Sequence, residues 1–95
     1  MEKQRGMLEV VGIVYKCNVH DTPQRRFSVP RQAVEPLGLE WEDSTLLHVS
    51  VETEPGKVVF AGNTELTSGT EVDLRDKRNV LERRQQVWVT VSHPV

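Results

Sequence analysis

The side chains best suited to chemistry in this chain are cations and amides around a short segment that begins at Pro30. They are Lys16, Gln24, Arg25, Arg26, Arg31 and Gln32. The cations are typical of phosphate contacts, and an arginine can also read guanine in the major groove, while a glutamine reads an adenine edge. A basic strand end that only faces water is the competing interpretation. The pattern favours a surface for double-stranded DNA in which phosphate contacts outnumber base contacts.

Other reactive residue types do not form a recognisable site. Cys17 and His20 have the spacing of one pair of zinc ligands, but the sequence contains no second pair. The three histidines lie far apart in the chain. The sequence has no Gly-rich phosphate loop, nucleophile elbow or metalloprotease helix. The paired carboxylates of Glu42 and Asp43 stand in a turn-like stretch with no partner base. We therefore expect no enzyme activity, no metal ion and no cofactor.

Charge is unevenly distributed along a chain whose formal net charge is −2 over 95 residues. Residues 1–33 hold six Lys or Arg and three acids, residues 34–62 hold six acids and one lysine, and residues 63–95 hold five of each. The length allows one domain at most. The sequence predicts that one end of the molecule is basic while another is acidic.

No apolar stretch is long enough to span a bilayer, and no charged-then-apolar leader with a small-residue cleavage site is present. We therefore expect a soluble, cytoplasmic protein without membrane contact. The single Cys17 excludes an intramolecular disulfide, and its apolar surroundings predict a small core residue.

Period-two alternation of apolar residues predicts a mainly β domain with one short helix. The predicted strands cover residues 8–19, 24–29, 45–53, 57–61, 69–74 and 86–92, and residues 1–7 are expected to be a flexible arm. Proline is favoured at the first helical position, so a helix is predicted from Pro30, closed by Gly38 as a left-handed cap. Pro36 lacks a backbone donor and limits this helix to one turn and a bend.

Trp88 stands between Gln86 and Thr90 on the face of the last predicted strand that points away from the valines. A large aromatic on that face indicates an interface with a second copy or another protein, and partial burial under a loop is the alternative.

The order of these parts resembles the AbrB/SpoVT swapped-hairpin family of DNA-binding proteins. The matching residues are Arg26-Phe27-Ser28-Val29-Pro30-Arg31, Val34, Leu37-Gly38-Leu39, Asp43 and the hairpin from Val49 to Phe60. The resemblance covers about residues 8–62. It implies a swapped-hairpin or small β-barrel-like domain, an obligate homodimer and a DNA-binding transcriptional regulator with its basic edge around Arg25, Arg26 and Arg31.

Residues 63–95 have no counterpart in the minimal family domain and are predicted to add strands to the same domain. If they close the barrel within one chain, the domain resembles the monomeric DNA-recognition pseudobarrel, a module of larger systems. An antitoxin of a toxin–antitoxin pair is a further possibility within the regulators. A protein-interaction module without DNA binding, centred on Trp88 and the acidic middle of the chain, is the alternative from a different class.

Overall fold

The computed structural model describes residues 12–95 and contains six strands. They are β1 (Ile13–Asn18), β2 (Arg26–Ser28), β3 (Leu46–Glu54), β4 (Lys57–Glu65), β5 (Glu71–Asp73) and β6 (Gln86–Ser92). The mainly β fold class is confirmed, with a short helical segment at the predicted place. The predicted arm, residues 1–7, and the start of the first predicted strand, residues 8–11, lie outside the described part.

The six strands form two antiparallel sheets. The larger sheet has the order β1-β6-β3-β4, and the smaller is a ribbon of β2 and β5. The last strand in sequence, β6, therefore lies between β1 and β3 rather than at an edge. Residues 63–95 thus provide an inner strand of the main sheet and one half of the ribbon.

One face of the main sheet forms the core. Val87, Val89 and Val91 of β6 are fully buried, and Val91 and Val89 pair in register with Val49 and Val51 of β3. The ribbon covers this face with Phe27 and Val72, which are also fully buried and lie opposite each other in register. Strict alternation in β3 and β6 places every second side chain inward, as the sequence pattern predicts.

The segment after Pro30 forms two successive 3₁₀ turns, η1 (Arg31–Ala33) and η2 (Glu35–Leu37). Pro36 falls in the first turn of η2, where a missing N–H costs no intrahelical hydrogen bond. Gly38 closes the segment with φ of 78°, a left-handed conformation that glycine adopts without Cβ strain. A third 3₁₀ turn, η3, spans Arg75–Lys77.

Strand β4 runs four residues beyond its predicted end at Ala61. Gly62 and Asn63 indicate a strand end by local propensity, but the ladder with β3 continues from Val49↔Gly62 to Leu46↔Glu65. The Asn63 side-chain amide also forms two hydrogen bonds with the backbone of Val95. Its Nδ2 donates to the Val95 carbonyl at 2.8 Å, and its Oδ1 accepts from the Val95 N–H at 3.0 Å. Pairing across the sheet therefore overrides the local signal.

No helix within residues 12–95 is long and apolar enough to cross a membrane.

The two leucines that begin β3 provide a matched test of the core. Leu47 is fully buried and Leu46 is 42% exposed on the opposite face. We expect Leu47→Ala to lower the free energy of unfolding by about 2–5 kcal/mol, because it leaves a cavity, and Leu46→Ala to lower it by less than about 1 kcal/mol. Urea unfolding of both variants measures the difference. Equal losses would contradict the inward assignment of Leu47.

Candidate nucleic-acid interface

The cations predicted from sequence do not converge on one surface. Lys16 lies on β1, where Ile13, Tyr15 and Cys17 pack toward the core and the alternate positions are exposed. Its side chain therefore leaves on the outer face of the main sheet, directly across from Trp88 of β6. This face is separated by the whole sheet from the ribbon that carries Arg26.

Arg25 is used inside the fold. Its backbone has φ of 56°, and its half-buried guanidinium donates from Nε to the Leu81 carbonyl at 2.6 Å. The Nη1 group donates to the carbonyls of Thr22 and Pro23, at 3.2 and 3.3 Å. Arg25 therefore joins the turn after β1 to the loop before β6, because its donors are directed at backbone acceptors of both.

Arg26 lies on the outer face of the ribbon, opposite Asp73 in the register. Its Nη1 is 3.4 Å from Glu71 Oε1 and its Nε is 3.5 Å from Asp73 Oδ2. Two carboxylates thus offset this guanidinium, whose side chain is 30% exposed. Arg26 therefore attracts an external anion less strongly than an unpaired arginine would.

Arg31, Gln24 and Gln32 are exposed. The Arg31 guanidinium lies 4.9 Å from the ring centroid of Trp41 and 3.8 Å from Glu35 Oε2. The Trp41 indole N–H donates to the Val29 carbonyl at 2.7 Å, which holds the ring over the start of η1. Gln32 belongs to η1, whereas Gln24 belongs to the turn that Arg25 secures.

Trp88 is half-buried on the outer face of the main sheet, as its sequence position predicts. Lys16 of β1 and Glu52 of β3 are its neighbours across the two adjacent strands. Opposite charges on either side of the ring give this row a mixed electrostatic character. The apolar side chains on the same face include Val14, which is 64% exposed, and Val58, which is 51% exposed.

Sequence reasoning missed a cationic segment between β5 and β6, which we call the basic loop, residues 75–84. Its five cations are Arg75, Lys77, Arg78, Arg83 and Arg84. The loop contains two acids, Asp76 and Glu82, so its formal charge is five minus two, or +3. The density of five cations in ten residues could have indicated this loop from the sequence. Counting charges over the whole of residues 63–95, where cations and acids are equal in number, concealed it.

Backbone hydrogen bonds hold the basic loop against the turn that follows β1. Leu74 N donates to Arg25 O at 3.2 Å, and Arg84 N donates to Val19 O at 2.9 Å. The Asn18 side chain donates to Arg84 O at 2.8 Å, and Arg25 binds Leu81 O between these points. The loop is therefore anchored at its start, middle and end, and its cations project from a defined backbone.

Acidic neighbours moderate the charge of the basic loop. Asp21 lies 3.8 Å from Arg83 and 3.3 Å from Arg84, and all three side chains are at least half exposed. Asp73 lies 2.9 Å from Arg75 Nη2. Burial acts to raise the pKa of Asp73, but hydrogen bonds from Arg75 and the charges of Arg75 and Arg26 outweigh it, and the pKa is lowered.

Comparisons of the chain with protein-family models, with curated proteins and with solved structures find no match. The resemblance to the AbrB/SpoVT family stays a prediction from the residues that carry it.

The anchoring role of Arg25 predicts a stability cost that other arginines do not share. Arg25→Lys keeps the charge but loses the fork that reaches three carbonyls, and we expect the free energy of unfolding to fall by about 1.5–3 kcal/mol. Arg31→Lys, at an exposed ion pair, should change it by less than about 0.5 kcal/mol. Urea unfolding compares the two variants. A cost for Arg31→Lys equal to that for Arg25→Lys would contradict the anchoring role.

The lowered pKa of Asp73 predicts a pH-dependent contribution to stability. A carboxyl whose pKa is lower in the folded state stabilises the fold above its ordinary value of 3.8, and this contribution is lost as the pH falls through the folded value. Asp73→Asn should therefore be less stable than the wild type at neutral pH, and the gap should close in strong acid. Urea midpoints of both proteins across this range test the expectation, which an unchanged gap would contradict.

Proposed function

We propose that this chain binds double-stranded DNA through the basic loop and the adjoining turn that contains Gln24 and Arg25. The observation that carries the proposal is the anchored backbone of the basic loop, which holds five cations in ten residues and exposes four of them, Arg75, Arg78, Arg83 and Arg84. A fixed backbone lets several cations meet the phosphates of one duplex without a further entropy cost for ordering the loop.

The available groups favour phosphate contact over base readout. Arg78 is exposed, and the side chains of Arg83 and Arg84 are 52% and 78% exposed. Arg83 and Arg84 are paired with the exposed Asp21 at distances that a phosphate can compete with in water. Gln24 is exposed in the turn to which this loop is hydrogen-bonded, and we assign its amide to a base edge.

The proposed class is a transcriptional regulator, which is the function that the resemblance to the swapped-hairpin family implies. The inner position of β6 favours a sheet completed within one chain, as in the pseudobarrel alternative, over a hairpin exchanged between two chains. A homodimer, an antitoxin role and a place in a larger DNA-recognition system each fit the same basic surface.

The salt dependence of DNA binding tests the basic loop. The logarithm of affinity falls with the logarithm of salt concentration in proportion to the phosphates neutralised, so replacing Arg78 and Arg83 by Ala should reduce the slope by about 1.8. Fluorescence anisotropy with mixed-sequence duplexes at several salt concentrations measures the slope. The molecular mass in solution, measured on the same sample, separates a monomer from a dimer.

A matched control removes two cations elsewhere. Lys16 lies on the outer sheet face, and Lys57 begins β4 at the hairpin turn. The variant with both replaced by Ala has the same net charge as the variant with Arg78 and Arg83 replaced. We expect its slope to equal that of the wild type. A slope reduced by this control and unchanged by the loop variant would contradict the proposed surface and favour the outer face.

A second candidate function, a protein-interaction module, is favoured by the outer face around Trp88. Trp88 lies between Lys16 and Glu52 in a row across the sheet. Exposed Val58 pairs with Glu52, and exposed Val14 lies two residues before Lys16 on β1. Burial of these side chains by a partner would release water from apolar surface, so the binding should be nearly insensitive to salt. Absence of DNA binding at low salt would favour this candidate.

A further inference from the structure

Three reactive side chains meet on the outer face of the β2–β5 ribbon. His20 Nε2 lies 3.2 Å from Ser28 Oγ, and His20 Nδ1 lies 3.5 Å from Glu71 Oε2. A hydroxyl, an imidazole and a carboxylate in this order are the constellation that activates a serine nucleophile. The residues come from three different segments, and only the fold brings them together.

Each member of this cluster is positioned by contacts of its own. The backbone of His20 donates to Arg26 O and accepts from Thr22 N, both at 2.8 Å. Ser28 and Glu71 lie opposite each other in the ribbon, so their separation is set by strand pairing. The second carboxylate oxygen of Glu71 accepts from Arg26 Nη1 at 3.4 Å, which leaves Oε2 directed at the imidazole.

The Ser28 backbone is held from a further side. The Tyr15 hydroxyl donates to the Ser28 carbonyl at 3.0 Å. Burial raises the pKa of Tyr15, with a smaller contribution from Cys17, so the hydroxyl remains protonated and stays a donor. The strand that carries the nucleophile is thereby fixed to β1.

We propose that Ser28 is an activated nucleophile that accepts an acyl group from small, activated carboxylic esters, with His20 as its general base and Glu71 as the positioning carboxylate. This activity is independent of DNA binding. The Glu71 carboxylate, 3.5 Å from His20 Nδ1, favours the tautomer that keeps its proton on Nδ1, and the Nε2 lone pair then faces Ser28 Oγ–H. The chemistry requires that tautomer, and the Glu71 contact favours it.

The acyl transfer balances with the groups in the cluster. As Ser28 Oγ bonds to the carbonyl carbon of the ester, its proton moves to His20 Nε2, and the bond from that carbon to the leaving oxygen breaks. The leaving group departs as the alcohol after taking the proton from Nε2, or as the anion while that proton passes to water. Water then attacks the acyl-serine while His20 accepts its proton. The bond from the carbonyl carbon to Ser28 Oγ breaks, His20 returns the proton to Oγ, and the carboxylic acid is released.

The surroundings of Ser28 set the substrate class. Ser28 is exposed, and His20 has 34% of its side chain in solvent, so the site offers little binding surface. Arg26 extends from the same face of β2 as Ser28, two residues earlier, but Glu71 and Asp73 offset its charge, so the site has little to stabilise the charge that develops on the carbonyl oxygen. Esters with good leaving groups therefore suit the site, because they need less stabilisation of that charge.

Labelling with an alkyl fluorophosphonate tests whether Ser28 is activated, since this reagent phosphonylates nucleophilic serines with loss of fluoride. We expect the folded wild type to be labelled at Ser28, as located by peptide mass spectrometry, and to release p-nitrophenol from p-nitrophenyl acetate. Ser28→Ala should abolish the labelling, and His20→Gln should slow it by at least about 100-fold, the usual contribution of a general base. Glu71→Gln should cause a smaller loss.

Two controls separate activation from ordinary reactivity. Ser68→Ala removes an exposed serine in the loop before β5 and should be labelled at the wild-type rate. Wild-type protein unfolded in urea should be labelled at the rate of His20→Gln, because its serine has lost the imidazole. Circular dichroism confirms that each variant is folded. Labelling of folded wild type no faster than the unfolded chain, or unchanged labelling of Ser28→Ala, would overturn the proposal.

Discussion

Insertion of β6 between β1 and β3 is the constraint on which the rest of this domain depends. Its three inward valines are fully buried, and each buried side chain of this size contributes roughly 1.5–3 kcal/mol. Without β6, neither β1 nor the β3–β4 hairpin has its ladder partner on that side. The final strand in sequence therefore joins elements that are separated by about thirty residues of intervening chain.

This placement determines the course of the basic loop. The chain leaves the ribbon at Asp73 and must return to the middle of the main sheet at Gln86, so it crosses the turn that follows β1. Arg25 and the backbone of Val19 supply the donors and acceptors along that crossing. Arg25, which the sequence suggests as a DNA contact, thus positions other cations, and the cations that we propose as the DNA contacts lie some fifty residues later in the chain.

The ribbon of β2 and β5 presents a different kind of surface. Its inward residues, Phe27 and Val72, cover the core. Its outward residues form two cross-strand pairs, the ion pair of Arg26 with Asp73 and the polar pair of Ser28 with Glu71. Because these charges are largely compensated within the ribbon, its outer surface attracts a polyanion less than the basic loop does. The basic loop, the ribbon and the outer face around Trp88 are therefore three surfaces with separate chemical characters.

The sequence by itself determined the elements whose signals are local. Alternation predicted the inward valines of β3 and β6 and the outward Trp88, and the prolines and Gly38 predicted an interrupted helical segment, because backbone preference and side-chain period depend on neighbours in the chain. The continuation of β4 through Gly62 was missed, since pairing with β3 decides it. Only the tertiary structure decided which cations share a surface: Lys16, Arg25, Arg26 and Arg31 have different surroundings, set by partners far away in sequence. The same is true of Ser28, His20 and Glu71, because Glu71 comes opposite Ser28 through the pairing of β2 with β5, two strands that are far apart in the chain.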